Sequence, residues 1–145
     1  CKEYSGKQVL KDINLKVQNG EIFVLVGPNG AGKTTLLLIV DLLEEPSSGI
    51  ILFDGTQMNY YSAKHRLALR RRIGMIFQQT VLFNMSVFDN VAYGLKVKGE
   101  GDRSVKHRVG EALELVQLRG FEFKNALGLS GGEAQRVALA QALVI

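Results

Sequence analysis

An apolar run, residues 22–26 (Ile22, Phe23, Val24, Leu25, Val26), leads directly into Gly27-Pro28-Asn29-Gly30-Ala31-Gly32-Lys33-Thr34. This octet matches G-x-x-x-x-G-K-[ST] and constrains the fold more than any other stretch of the chain. Such a loop needs a buried strand behind it and a helix in front of it. Glycine at 27, 30 and 32 removes the Cβ atoms that would stop the backbone curling its N–H groups around one anion. A helix opening at Gly32-Lys33 brings its positive dipole end to the same place. The Lys33 ammonium then reaches the outer phosphates of a nucleotide, and the Thr34 hydroxyl is placed to ligate Mg²⁺. Pro28, Asn29, Ala31 and Thr35 complete the expected phosphate contacts, with a nucleotide and Mg²⁺ as the ligands. The competing reading is a glycine turn that merely joins strand to helix. The strand pattern before it and the helical pattern after it favour the phosphate.

The rest of the chain is organised around that loop. Residues 9–17 alternate apolar and polar (Val9, Ile13, Leu15, Val17), which predicts a strand ending at Asn19-Gly20. Residues 22–26 predict a buried strand, and residues 34–43 a helix buried on most sides. Pro46, Ser47, Ser48 and Gly49 break that helix. Residues 50–53 predict a strand closing at Asp54-Gly55, residues 63–71 a basic helix, and residues 73–77 another strand. From there the pattern turns helical. Ser86 with Asp89 three residues on reads as a capping box, followed by Val87, Val91 and Leu95 at helical spacing. A second helix is expected over 104–118, with Val105, Val109, Leu113 and Val116 on one face. A third starts at Ser130 and is expected to run to Ile145.

Composition narrows the class. With 46% hydrophobic and 22% charged residues over 145 positions, the chain is long and apolar enough for a globular core. Strictly apolar runs such as residues 36–40 fall far short of the ~18 residues that cross a bilayer. The single cysteine, Cys1, excludes an internal disulfide framework and suits a reducing cytosol. The net charge of +4 lies partly in Lys64, His65, Arg66, Arg70, Arg71 and Arg72, which reads as the solvated face of a helix. No nucleic-acid partner is expected.

The second motif is Leu129-Ser130-Gly131-Gly132-Glu133-Ala134-Gln135-Arg136. Ser130 at the N-cap and Glu133 at N3 form a capping box. The two glycines between them each cost about 1 kcal/mol against alanine in a helix. A helix start selected only for stability would not contain them. They let something approach the backbone closely, and a helix N-terminus favours an anion.

This segment resembles the signature motif of the ABC ATPase family, L-S-G-G-x-x-x-R. The resemblance implies an α/β fold: a P-loop NTPase with a RecA-like core and an antiparallel β portion, plus a helical subdomain. It implies one partial domain over 1–145, divided as 1–78 for the P-loop core and antiparallel portion, 79–128 for the helical insert, and 129–145 for the signature helix. It implies that Ser130, Gly131 and Gly132 meet ATP held by the P-loop of a second ATP-binding subunit, most simply in a homodimer. Gln78, after the strand expected at 73–77, matches the family glutamine that reaches Mg²⁺ and the attacking water, so Lys33 and Gln78 carry the expected catalytic roles and Thr34 and Gln78 the metal. Gln79 is its neighbour and a competing choice. Tyr4 stands where the family stacks an aromatic ring on adenine; packing is the other reading of that ring.

The chain also departs from the family pattern. The apolar strand ending in Asp-Glu (the Walker B segment) and the later histidine have no counterpart here, so the domain is expected to be C-terminally incomplete. These residues alone are expected to bind nucleotide without useful turnover. Ala134 and Gln141 replace residues that are more often Gln and Arg, at positions not expected to contact ATP. Among family branches, the short spacing between the two motifs disfavours the chromosome and repair ATPases. A soluble ABC ATPase of translation is the alternative. The stretch Phe83-Asn84-Met85-Ser86-Val87-Phe88-Asp89-Asn90-Val91-Ala92-Tyr93-Gly94 resembles prokaryotic importers, especially those for tungstate, molybdate or phosphate. The implied partner is then a membrane permease subunit, with the protein peripheral on the cytoplasmic face of the membrane. Val81, Leu82, Phe83 and Met85 are apolar for a surface loop and offer a seat for a partner helix; packing under the helical insert is the other reading.

Overall fold

A computed structural model describes residues 1–60 and 62–145. They form two compact units, Cys1–Arg70 and Arg71–Ile145.

The first unit opens with an antiparallel hairpin of β1 (Lys2–Tyr4) and β2 (Lys7–Leu10), in the register Lys2↔Leu10, Glu3↔Gln8 and Tyr4↔Lys7. Its two-residue turn places Ser5 and Gly6 at φ 48° and 81°, the twist that matches paired strands. β1 is tied down by the loop at 44–48: Lys2 Nζ donates to Glu44 Oε1 (2.6 Å) and to the Glu45 carbonyl (2.7 Å), and the Glu3 N–H donates to Ser47 Oγ (3.0 Å). Helix α1 spans Lys33–Val40. A second hairpin pairs β3 (Leu52–Phe53) with β4 (Thr56–Gln57) across Asp54-Gly55, both at positive φ, and α2 follows over Ala63–Arg70. The antiparallel β portion expected from the sequence is therefore these two hairpins.

Four strand expectations are corrected. Of the alternating stretch 9–17 only Val9 and Leu10 enter a strand, as the end of β2, and the strand expected at 50–53 contracts to Leu52–Phe53. Residues 73–77 form no strand. The run 22–26 is neither strand nor core, with Ile22 91% and Val26 86% exposed. The physical reason is that a strand buried on both faces exists only when neighbours complete its ladder on each side. No described residue pairs with 22–26. The same lack of cover explains α1. It was expected to be buried on most sides, yet only Ile39 is buried, and it ends at Val40 rather than residue 43.

The second unit holds the continuous core. Helix α3 (Val87–Val97) starts at the expected Ser86 N-cap, whose Oγ accepts from the Asp89 N–H at 3.0 Å; the Asp89 carboxylate returns to the Ser86 hydroxyl (2.6 Å) rather than to its backbone N–H, so the cap is not a full capping box. Helix α4 (Asp102–Leu115) begins two residues earlier than expected, and buries Val105, Val109 and Leu113 together with Val116 beyond its end. It stops where Gln117 takes φ 59° and the Leu118 N–H returns to the Leu113 carbonyl (2.8 Å), the six-to-one bond of a Schellman ending. A short 3₁₀ turn, Ala126–Gly128, leads into α5 (Gly131–Leu143), which ends before Ile145. Val87, Val91 and Leu95 of α3 meet Val137 and Ala140 of α5 and the buried face of α4. Each such fully buried aliphatic side chain contributes about 1.5–3 kcal/mol. Arg108 Nη2 donates to the Val144 carbonyl (2.6 Å) and Lys98 Nζ to that of Ile145 (3.3 Å), placing cations at the negative end of α5. No helix among the described residues is long and apolar enough to cross a membrane.

Candidate functional site

The nucleotide loop is a curled backbone seated against β2. Gly30 and Gly32 take φ 81° and 85°, left-handed conformations that glycine adopts without penalty. Gly32 is also a close approach: a Cβ there would lie 2.7 Å from Leu10 Cδ2 and 3.0 Å from the Val9 carbonyl. Gly27 is different. Its φ is not positive, and a Cβ would meet Ala31 at an ordinary 3.6 Å, so the loop's conformation does not require glycine there. The Ala31 N–H closes a turn onto the Pro28 carbonyl (3.3 Å), and Asn29 and Gly30 form its exposed tip.

Lys33, the first residue of α1, turns back over this loop. Its Nζ donates to the carbonyls of Gly27 and Pro28, each at 2.7 Å. The ammonium is thereby held over the concave side of the loop, at the N-terminus of α1, where dipole and charge both favour an anion. Thr34 is exposed and Thr35 partly buried on the first turn. These residues fit a polyphosphate: backbone curvature, one point charge and a hydroxyl meet at one helix end. Thr34 is the residue that would hold a phosphate-bound Mg²⁺ here.

The signature segment is a second helix N-terminus with a different economy. Both halves of the capping box are present: Ser130 Oγ accepts from the Glu133 N–H, while the Ser130 N–H donates to Glu133 Oε2 at 2.8 Å. The Ser130 hydroxyl donates to the same carboxylate oxygen at 2.6 Å. These bonds, hydroxyl first and backbone second, hold the Glu133 carboxyl below its ordinary pKa. Ser130 thus directs both its donors at its own helix. Gly131 and Gly132 are exposed. A Cβ on Gly131 would meet nothing within 4 Å, and one on Gly132 only the tip of Arg136 at 4.0 Å. Nothing in the packing of the described residues uses the two glycines, which leaves the helix start open to an outside group.

The remaining sequence-predicted residues fall as follows. Gln78 is exposed at a bend, while Gln79 lines a cavity of about 130 Å³ with Gly74, Ile76, Ala138 and Gln141. Tyr4 is 42% exposed at the turn end of the first hairpin, about 7 Å along the strand from Lys2, whose partner Leu10 borders Gly32. Lys2 Nζ lies 4.7 Å from the centre of its ring, a cation on one face of the Tyr4 π-system. Val81 is 80% exposed and Phe83 half-exposed, with the Phe83 and Tyr93 rings 5.0 Å apart. The P-loop and Tyr4 belong to the first unit, and Gln78 and the signature to the second.

Asn90 escaped the sequence reading. Asn90 is wholly buried within the apolar face of α3, and its side-chain amide bonds the backbone of Phe83, Met85 and Ser86. The available signal was a polar residue at core spacing between Val87 and Val91.

Comparison with known proteins gives this geometry its context. A phosphate import ATP-binding protein of Natronomonas pharaonis is 45% identical over 97% of this chain and 52% of its own length. A spermidine/putrescine import ATP-binding protein of Desulfitobacterium hafniense is 42% identical over 99% of this chain and 40% of its own length. The chain therefore spans about half the length of the curated relatives it matches. Among solved structures, a dimeric bacterial ABC transporter cassette superposes with a TM-score of 0.85 at 34% identity, covering 94% of this chain and 61% of that chain. The same cassette is also known as a dimer in a post-hydrolysis state bound to ADP and Pi. The fold is that of an ABC ATPase cassette, within the P-loop NTPases. The description "ABC transporter" belongs to the family model matched by residues 10–145, and by that match the chain belongs to this family.

Proposed function

We propose that this chain is the nucleotide-binding and signature portion of the ATP-hydrolysing motor of a membrane importer. The observation that carries the reading is the pair of anion-facing helix starts: the Lys33 loop, and the Gly131-Gly132 start whose glycines serve no packing among the described residues. In a dimer, the P-loop residues Gly27, Pro28, Asn29, Gly30, Ala31, Gly32, Lys33, Thr34 and Thr35 hold ATP of one subunit. Ser130, Gly131 and Gly132 of the second subunit close on it. Thr34 and Gln78 are the residues that would hold Mg²⁺, which would neutralise charge on the phosphates. Gln78 orients the attacking water, Lys33 stabilises charge at the outer phosphates, and Tyr4 offers a π-face to adenine. The division into 1–78, 79–128 and 129–145 follows these roles.

Closing and reopening the sandwich switches a permease docked on the apolar loop around Val81 and Phe83, with the motor peripheral on the cytoplasmic face. Relatives named for import support the transporter over a soluble ATPase of translation. Relatives named for phosphate and for sulfate/thiosulfate fit an inorganic oxyanion, while one of similar identity is named for polyamines, which carry the opposite charge. The family's metal-supporting Asp, water-polarising Glu and phosphate-contacting His have no counterpart within 1–145. These residues by themselves are expected to bind ATP with no useful turnover.

The test compares Lys33→Ala with Ser130→Arg by calorimetric ATP titration and by ATP-dependent dimerisation. Lys33→Ala is expected to abolish binding. Ser130→Arg is expected to leave monomer affinity within about twofold, since in this reading Ser130 meets the ATP of the second subunit, and to block dimerisation. Equal loss of binding in both variants would remove the cross-subunit assignment.

A further inference from the structure

The last turn of α5 is gripped from two sides. On one side, Gln141 Nε2 donates to the Asn90 carbonyl at 3.1 Å. Asn90 in turn organises the loop before α3: its Oδ1 accepts from the Phe83 N–H (2.9 Å), and its Nδ2 donates to the carbonyls of Phe83 (3.0 Å), Ser86 (3.0 Å) and Met85 (3.3 Å). On the other side, Gly74 lies against Ala142. A Cβ on Gly74 would stand 2.9 Å from the Ala142 carbonyl oxygen and 3.1 Å from its Cα, so the two backbones touch. The segment containing Gly74 runs on to Gln78.

The loop inverts the usual economy of a surface segment. Its backbone is bound by a buried amide, while Val81 and Phe83 face solvent. A loop built only for stability would tuck those side chains in and leave its backbone to water. The packing of α5 on α3 is already supplied by Val91, Val137 and Ala140, so the Gln141 bond adds register to a contact that stands without it. Helix α5 is 13 residues long, a rod of about 20 Å with Ser130 at one end and this grip at the other.

We propose that Gln141 and Gly74 are positioning residues. They register loop 81–86 and the segment entering Gln78 on the last turn of α5, so that a load on that loop moves the signature end as one body. The proposal rests on the functional reading above in taking loop 81–85 as the permease seat and the start of α5 as the end that meets ATP when two subunits pair.

The test uses the full-length subunit and amide exchange read by mass spectrometry. ATP-driven pairing of wild-type subunits is expected to slow exchange both in the first turn of α5 and at residues 83–86. In Gln141→Leu the first turn of α5 is expected to respond as before, while the response at 83–86 falls about fivefold, the worth of one hydrogen bond. Gly74→Ala is expected to act the same way, and ATP affinity and unfolding midpoint identify whether each variant is folded. If Gly74→Ala does not fold, Gln141→Leu alone decides. A wild-type protein with no response at 83–86 overturns the proposal, as does a Gln141→Leu variant that responds like wild type. Co-purification of the wild-type subunit with its permease separates the two readings: its failure removes the transporter assignment and leaves the exchange result to stand or fall by itself.

Discussion

Gly32 and Gly131 are glycines for opposite reasons, and substituting each with alanine separates those reasons. At Gly32, alanine must accept φ 85° and place a methyl group 2.7 Å from Leu10 Cδ2 and 3.0 Å from the Val9 carbonyl. The left-handed conformation alone costs about 1–2 kcal/mol, and relieving the contact moves the loop away from β2. Gly32→Ala is therefore expected to lower both the unfolding free energy and ATP affinity. At Gly131, alanine meets open space and a φ that any residue adopts. Gly131→Ala is expected to hold or raise stability by up to about 1 kcal/mol, because alanine is the better helix former. Its cost should appear only when two subunits close. Denaturant titrations beside nucleotide titrations check both, and a destabilised Gly131→Ala would mean that its glycine serves the fold after all.

Among the elements, α5 has a start that depends on charge. The Ser130 hydroxyl and N–H both donate to the Glu133 carboxylate and lower its pKa. A group with a depressed folded pKa contributes stability that is complete above its unfolded value and is lost as pH falls through the folded one. The first turn of α5 should accordingly loosen only in acid, below the ordinary carboxylate range. Glu133→Gln keeps an acceptor for the Ser130 N–H but has no proton to take up. Between neutral pH and pH about 3, its thermal midpoint by circular dichroism is expected to fall less than that of wild type. Parallel losses would show that Glu133 does not set the acid response.

The same helix explains what was legible in the sequence. The N-cap at Ser86, the capping box at Ser130 and the face of Val105, Val109 and Leu113 were readable because a helix closes its hydrogen bonds within a few residues. The phosphate loop was readable because its glycines, lysine and threonine are adjacent. Strands at 22–26 and 73–77 were not, since a strand is made by partners that its own sequence does not specify. Asn90 and Gly74 stayed hidden for a related reason: one bonds a loop and the other abuts a helix, and neither partner lies at a fixed spacing.

At the scale of the whole molecule, apolar burial is uneven. The contiguous core, from Val87 to Val144, lies wholly in the unit Arg71–Ile145. The unit Cys1–Arg70 buries Leu10, Ile39, Leu42 and Met58, while Ile22, Val24 and Val26 face solvent. Local opening follows the density of buried apolar side chains, so the two units should differ in how readily their backbone enters a protease. Limited chymotrypsin digestion of the 145-residue chain is expected to cut first at Phe23 or Leu25. Those bonds should be lost at least about tenfold faster than any within α3, α4 or α5, leaving a resistant fragment that carries all three helices. ATP bound at Lys33 should slow the early cuts, since a ligand that binds only the ordered loop stabilises it by mass action. Early cuts at Tyr93 or Leu113 instead would mean that the helical unit does not hold together as its core implies. Early cuts at Phe23 that ATP leaves unchanged would mean that nucleotide binding and the order of residues 22–26 are separate events.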